Sequence, residues 1–150
     1  MIRRAPRETD LHIAVADYFA AVLIPPTLAF HVPNGGYRLK TEAAILQRMG
    51  VKAGMPDWCI LYESRAHFLE LKTATGKLNA AQREILDRLT ACGCPWCIAR
   101  SIDGVRAALL AWRIPTREYD PNGDARASYE VAIAALRERH LAELGEQKDD

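Results

Sequence analysis

The sequence predicts an α/β fold, a mixed β-sheet flanked by helices in the order α-β-α-β-β-α-β-α. Three observations carry that prediction. Stretches with apolar residues at helical spacing alternate with short apolar runs of strand length. Gly, Pro and Asn clusters punctuate the boundaries between them. Two of the runs, "DWCILY" and "AHFLELK", are separated only by the polar "ESR", which marks a hairpin.

The elements follow in order. From Glu8 to Leu23, the residues Leu11, Val15, Tyr18, Phe19 and Val22 fall on one helical stripe, and Pro25-Pro26 ends the helix. "TLAFHV" is a short strand, closed by the turn "PNGGY". "LKTEAAILQRMG" is a second helix, with Gly50 at its C-terminal end. After the hairpin, "NAAQREILDRLTACG" is amphipathic through Ile85, Leu86 and Leu89. "PWCIAR" reads as a strand, and "SIDGVRAALLAW" as a helix capped by Ser101. Ile114 to Ser128 is read as polar and turn-rich. A last helix is expected from about Tyr129 to Leu144, running into a charged, frayed tail.

A chain of 150 residues, 49% hydrophobic and 26% charged, has the make-up of one ordinary globular domain. No apolar run approaches the length of a membrane span, and Met1-Ile2-Arg3-Arg4 does not open a signal peptide. An intracellular protein is expected. The net charge of +1 is divided unevenly: residues 1–106 carry 14 Lys+Arg against 10 Asp+Glu, residues 107–150 carry 6 against 9. Any basic footprint therefore belongs to the first two-thirds.

"CGCPWC" holds Cys92, Cys94 and Cys97, with Cys59 elsewhere. A zinc site would need a fourth ligand at metal spacing, and no second Cys-x-x-Cys stands in the chain. A redox pair would open a helix after a strand, whereas Cys97 leads into a strand. Small buried strand residues are the plainer reading, with a zinc or thiol module as the rival.

The chemistry is expected in the hairpin. Side chains at i and i+2 share a strand face, so Phe68, Glu70 and Lys72 point one way while Leu69 and Leu71 point the other. Asp57, after Pro56, begins the neighbouring strand. Carboxylates in an apolar run need something to offset their desolvation. Two such oxygen donors, with a backbone carbonyl and water, suit Mg²⁺ or Mn²⁺. Lys72 beside the ion would either activate a water or stabilise charge developing on a phosphodiester under in-line attack. Taken alone, Glu70-x-Lys72 is equally a strand-edge ion pair.

Together, "GMPDWCIL", "HFLELKTATGKLNAAQ" and "GCPWCIARSIDGV" resemble the VRR-NUC domain of the PD-(D/E)XK nuclease superfamily, over Glu8 to about Trp112. The resemblance implies a restriction-endonuclease-like core over residues 8–112, with a C-terminal extension over residues 113–150. It also implies a Mg²⁺-dependent DNA endonuclease without a small-molecule cofactor. Stand-alone relatives of this size suggest a homodimer acting on branched DNA, such as Holliday junctions or flaps, in the cytoplasm of a bacterial or phage-infected cell. A non-catalytic DNA-binding module of the same fold is the alternative.

The family pattern places Glu8, Asp57, Glu70, Lys72 and Gln82 in the catalytic set. Asp57, Glu70, the Leu71 carbonyl and Glu8 become the metal donors. Glu8 also suits a helix's first turn, and His12, four residues on, shares its face. Glu42 is a weaker rival, better explained as a first-turn helix residue. Gln82 also has capping-box spacing to Asn79. Asn34, Gly35, Gly36, Tyr37, Arg38 and Lys40 form a candidate phosphate-contact stretch, with Lys52, Lys77 and Arg83 as further contacts.

Overall fold

A computed structural model describes residues 7–33 and 40–120, together with residue 134. The elements are α1 (Glu8–Val22), β1 (Leu28–His31), α2 (Lys40–Arg48), β2 (Trp58–Tyr62), β3 (Arg65–Leu71), α3 (Ala80–Ala91), β4 (Trp96–Ala99) and α4 (Ile102–Ala111). Their order is the one that the sequence predicts. The expected final helix lies outside the described residues, apart from Ala134, which is helical.

The sheet runs β1-β2-β3-β4. β1 and β3 each pair antiparallel with β2, and β4 joins β3 in parallel. A parallel pair needs a crossover, which α3 supplies. The hairpin is tighter than "ESR" suggests: Tyr62 pairs with Arg65, leaving Glu63 and Ser64 as a two-residue turn. Both have positive φ, 47° and 59°, as a primed turn matched to strand twist requires.

β3 separates two environments. Leu69 and Leu71 join Trp58, Ile60 and Ala99 in a core closed by Val15 and Phe19 of α1 and by Val105, Ala108 and Leu109 of α4. Burying a leucine of this kind contributes roughly 1.5–3 kcal/mol. Glu70 lies on the other face, where the first turn of α3 meets it through Gln82. The helices form where their caps fall: Asn79 accepts from the Gln82 amide at 2.9 Å, and Ser101 from the Gly104 amide at 3.2 Å.

The segment after α4 departs from expectation. Instead of a loose polar stretch, Ile114 is fully buried, and Thr116 forms a bridge with Leu23. Arg113 turns the chain back with φ 56°, which brings Glu118 to the Tyr18 hydroxyl at 2.9 Å and to Arg106 Nε at 3.0 Å. No helix among the described residues is long and apolar enough to cross a membrane.

Candidate active site

The antiparallel register sets Trp58 opposite Leu69, so Asp57, one residue earlier, stands beside the end of β3. Its Oδ2 accepts the Leu71 amide at 2.7 Å. Its backbone carbonyl accepts the Val32 amide at 2.7 Å and His31 Nδ1–H at 2.8 Å. The ladder of three strands therefore fixes this carboxylate from both main chain and side chain.

Glu70 is 2% exposed. Its Oε1 accepts Lys72 Nζ at 2.7 Å and also the Gln82 side-chain amide. Burial pushes the Glu70 carboxyl above its usual range; the Lys72 hydrogen bond draws it back, and the charges of Asp57 and Glu8 push it up again. Glu8, on the first turn of α1, reaches Lys72 Nζ at 3.9 Å and remains half exposed. His12 Nε2 is 3.8 Å from Asp57 Oδ1, so it neighbours Asp57 rather than Glu8.

Gln82 plays both of the roles that sequence reasoning set against each other. Its side-chain oxygen accepts the Asn79 amide at 3.0 Å, completing the capping box, while its side-chain nitrogen donates to Glu70. A Gln side chain carries one acceptor end and one donor end, which is why the two roles coexist.

In the sequence Gly54 stands out only as the first residue of "GMPD". In the fold it has φ +81°, and a Cβ there would fall against the Ala81 carbonyl and within 2.8 Å of the Gln82 nitrogen. The loop before β2 thus touches the first turn of α3 backbone to backbone. Neither His31, in the strand "TLAFHV", nor Arg100, at the end of the strand "PWCIAR", stands out from strand residues in the sequence.

Glu8 and Glu70 flank the Lys72 ammonium, and Asp57 acts on Glu70, so three carboxylates share one ammonium, a formal excess of two negative charges. A divalent cation matches that excess. Among the described residues no three His, Cys, Asp or Glu side chains stand close enough to hold a metal by themselves. The donor set that fits is Asp57 and Glu70 with a backbone carbonyl and water, the hard-oxygen, part-hydrated coordination of Mg²⁺.

Asn34, Gly35, Gly36, Tyr37 and Arg38 lie outside the described residues, and Lys40 begins α2 with its side chain also outside them. Lys52 is exposed at a groove shared with Val32, Leu46 and Met55. Lys77 is exposed, and Arg83 donates to the Leu78 carbonyl at 2.6 Å. Cys92 ends α3, Cys97 is in β4, and all four cysteines are free.

Fold and site together define a small α/β domain with a buried acidic centre and an adjoining lysine on paired strands. The VRR-NUC domain model matches residues 28–103, half of the chain, and the chain belongs to that family. Membership implies a nuclease-type, DNA-processing function, and the family is typically metal-dependent. A solved structure described as a VRR_NUC domain protein is similar in fold, with a TM-score of 0.56 at 24% identity over 73% of this chain and 89% of that one. No curated protein matches.

Proposed function

We propose that this chain is a divalent-metal-dependent DNA endonuclease that hydrolyses phosphodiester bonds and prefers branched DNA, such as four-way junctions or flaps. The observation that carries the reading is the burial of Glu70 beside Asp57 with Lys72 2.7 Å away. A structural ion pair needs one carboxylate beside Lys72, whereas a second carboxylate, Asp57, next to the buried Glu70 is what a divalent-cation site would use.

In this reading Asp57, Glu70 and the Leu71 carbonyl hold Mg²⁺ or Mn²⁺, and Glu8 serves at its rim. The cation, when bound, supplies Lewis-acid polarisation of the phosphate and activation of water. Lys72 holds its ammonium towards the charge developing on the phosphoryl oxygens. Gln82 keeps Glu70 turned to the site by donating to Oε1, and the Leu71 amide does the same for Asp57.

A domain this small has little surface for reading a long sequence, which favours recognition of DNA shape. The homodimer is supported by an apolar strip at the sheet edge: Leu28, Phe30 and Leu61 are 55%, 44% and 39% exposed, and Leu28 pairs with Leu61. A second copy of the chain is its assigned cover. A single-chain mass by sedimentation at micromolar concentration would remove that part of the reading.

The deciding experiment is cleavage of labelled linear duplex, flap and four-way-junction DNA with Mg²⁺, Mn²⁺ or EDTA. Wild type and Lys72→Ala are compared. Metal-dependent cutting, strongest on a branched substrate and lost in the variant, is expected. DNA binding without cutting of any substrate would turn the reading towards a binding module.

A further inference from the structure

A cleft of about 540 Å³ opens beside the acidic centre, between the first turns of α1 and the chain that leaves β3. Arg7, Asp10, Leu11 and Ala14 line one side, Thr73, Ala74 and Thr75 the other, and Arg100 stands at the end of β4. Its size is within the range of ordinary ligand pockets, roughly 300–1,000 Å³. Both walls continue directly into the proposed site: Arg7 precedes Glu8, and Thr73 follows Lys72.

The wall formed by residues 73–76 is a built feature. The Gly76 amide donates to the Thr73 carbonyl at 3.1 Å, closing a turn. The turn rests on the Lys72 stem, since a Cβ at Gly76 would come within 3.3 Å of Lys72 Cδ. Arg100 Nη1 donates to the Thr73 carbonyl, to the Gly76 carbonyl at 3.0 Å and to the Ala74 carbonyl at 3.4 Å. A single nitrogen makes these bonds, so the guanidinium is pinned by one corner and its charge stays in the cleft. Arg7 brings a second guanidinium. Asp10 is committed to the Arg7 backbone amide at 3.0 Å.

We infer that this cleft seats the sugar–phosphate strand next to the scissile bond, with Arg7 and Arg100 each neutralising a backbone phosphate. The inference rests on the nuclease reading for which phosphate is cut, but the binding it describes is measurable without cutting. Arg100 has a double part: it shapes the turn over Lys72 and it supplies charge. Its planar fork suits both, whereas a lysine could supply the charge alone.

The test is equilibrium binding of a short fluorescent DNA duplex in EDTA, from about 50 to 200 mM salt. Wild type, Arg7→Gln, Arg100→Gln, the double variant and Arg65→Gln are compared. Arg65 is exposed at the hairpin end of β3, away from the cleft. Each cleft variant should reduce the slope of log affinity against log salt by about 0.9, and the double variant by about twice that. Arg65→Gln should leave the slope unchanged. Arg100→Lys should keep the wild-type slope while melting at a lower temperature. If Arg100→Gln does not fold, Arg7→Gln and the cleft-filling Ala14→Phe, expected to weaken binding, decide the matter.

Wild-type slopes in both cleft variants, or an equal loss in Arg65→Gln, would overturn the inference. Cutting of DNA with unchanged slopes sinks the cleft alone. Expected slopes without cutting keep the cleft and sink the nuclease reading. No DNA binding by wild type ends both.

Discussion

Glu70 accepts the side-chain amide of Gln82 through the same oxygen that accepts Lys72 Nζ. One buried carboxylate oxygen thereby ties β3 to the first turn of α3. The cap of that helix and the order of the site are a single hydrogen-bonded unit, and substitutions at either end should separate its two functions.

Gln82→Glu keeps the acceptor that closes the capping box but sets a second carboxylate against Glu70. Helix stability should change little, while cleavage falls about 10–100-fold, the usual effect of losing the partner that orients a ligand. Gln82→Ala should lose both, with about 1 kcal/mol of stability removed. Thermal melts beside cleavage rates check this; equal damage to both properties by Gln82→Glu would refute the separation.

Gly54→Ala should be damaging although the residue carries no chemistry. The new Cβ meets the α3 backbone at a positive φ, so either the loop before Asp57 or the first turn of α3 must shift. A loss of about 1–3 kcal/mol is expected, with cleavage reduced through displaced Asp57 and Gln82. Gly50, with positive φ but open space around it, is the control: Gly50→Ala should be strained but leave cleavage intact. Normal melting of Gly54→Ala would contradict the close approach.

Mg²⁺ should stabilise the fold, and Glu70→Gln should abolish that gain without lowering the melting temperature in EDTA. Burial already penalises the ionised Glu70, with Asp57 and Glu8 adding to it, so removing its charge relieves repulsion. The sign follows from a carboxyl raised in the fold: its contribution is greatest at low pH and is lost as pH rises through the folded value. The metal-induced rise should therefore shrink as pH is lowered, because the proton competes with the cation. Melts with and without Mg²⁺ across pH decide it. A wild type indifferent to Mg²⁺ would count against Asp57 and Glu70 as ligands.

His67 should make the protein acid-sensitive. It is buried, its ring 5.2 Å from that of Trp112, with Nδ1–H donated to the Ile60 carbonyl at 3.3 Å. Burial holds its pKa below the usual value. Below about 6.5 the unfolded chain takes a proton that the folded one refuses. Stability is thus full above that pH and falls as pH drops towards the folded value, by up to about 1.4 kcal/mol per pH unit. Urea unfolding of wild type and His67→Phe over this range should show a flatter profile for the variant; parallel profiles would clear His67.

Much of this was legible in the chain, for reasons that particular residues show. The pleat alternates by two, so Glu70 and Lys72 had to share a face opposite Leu69 and Leu71 whatever the sheet looked like. Asn79 and Ser101 announced their helices because a cap needs only local chain. The hairpin followed from the shortness of "ESR", though its true turn is one residue shorter. Ile114 did not stand out because a lone apolar residue among polar ones carries no periodic signal, whereas in the fold it joins the core cluster.

The order of elements, the parity of β3 and the chemical kind of its charged residues can be read from the chain alone, since each depends on neighbours a few positions apart. That β4 lies parallel to β3, that Gln82 both caps α3 and contacts Glu70, that Gly54 meets α3, and that Arg100 fastens the turn after Lys72 emerges only in the folded molecule. Those relationships join residues 12 to 28 positions apart. They depend on strand register and helix packing, which no local pattern encodes.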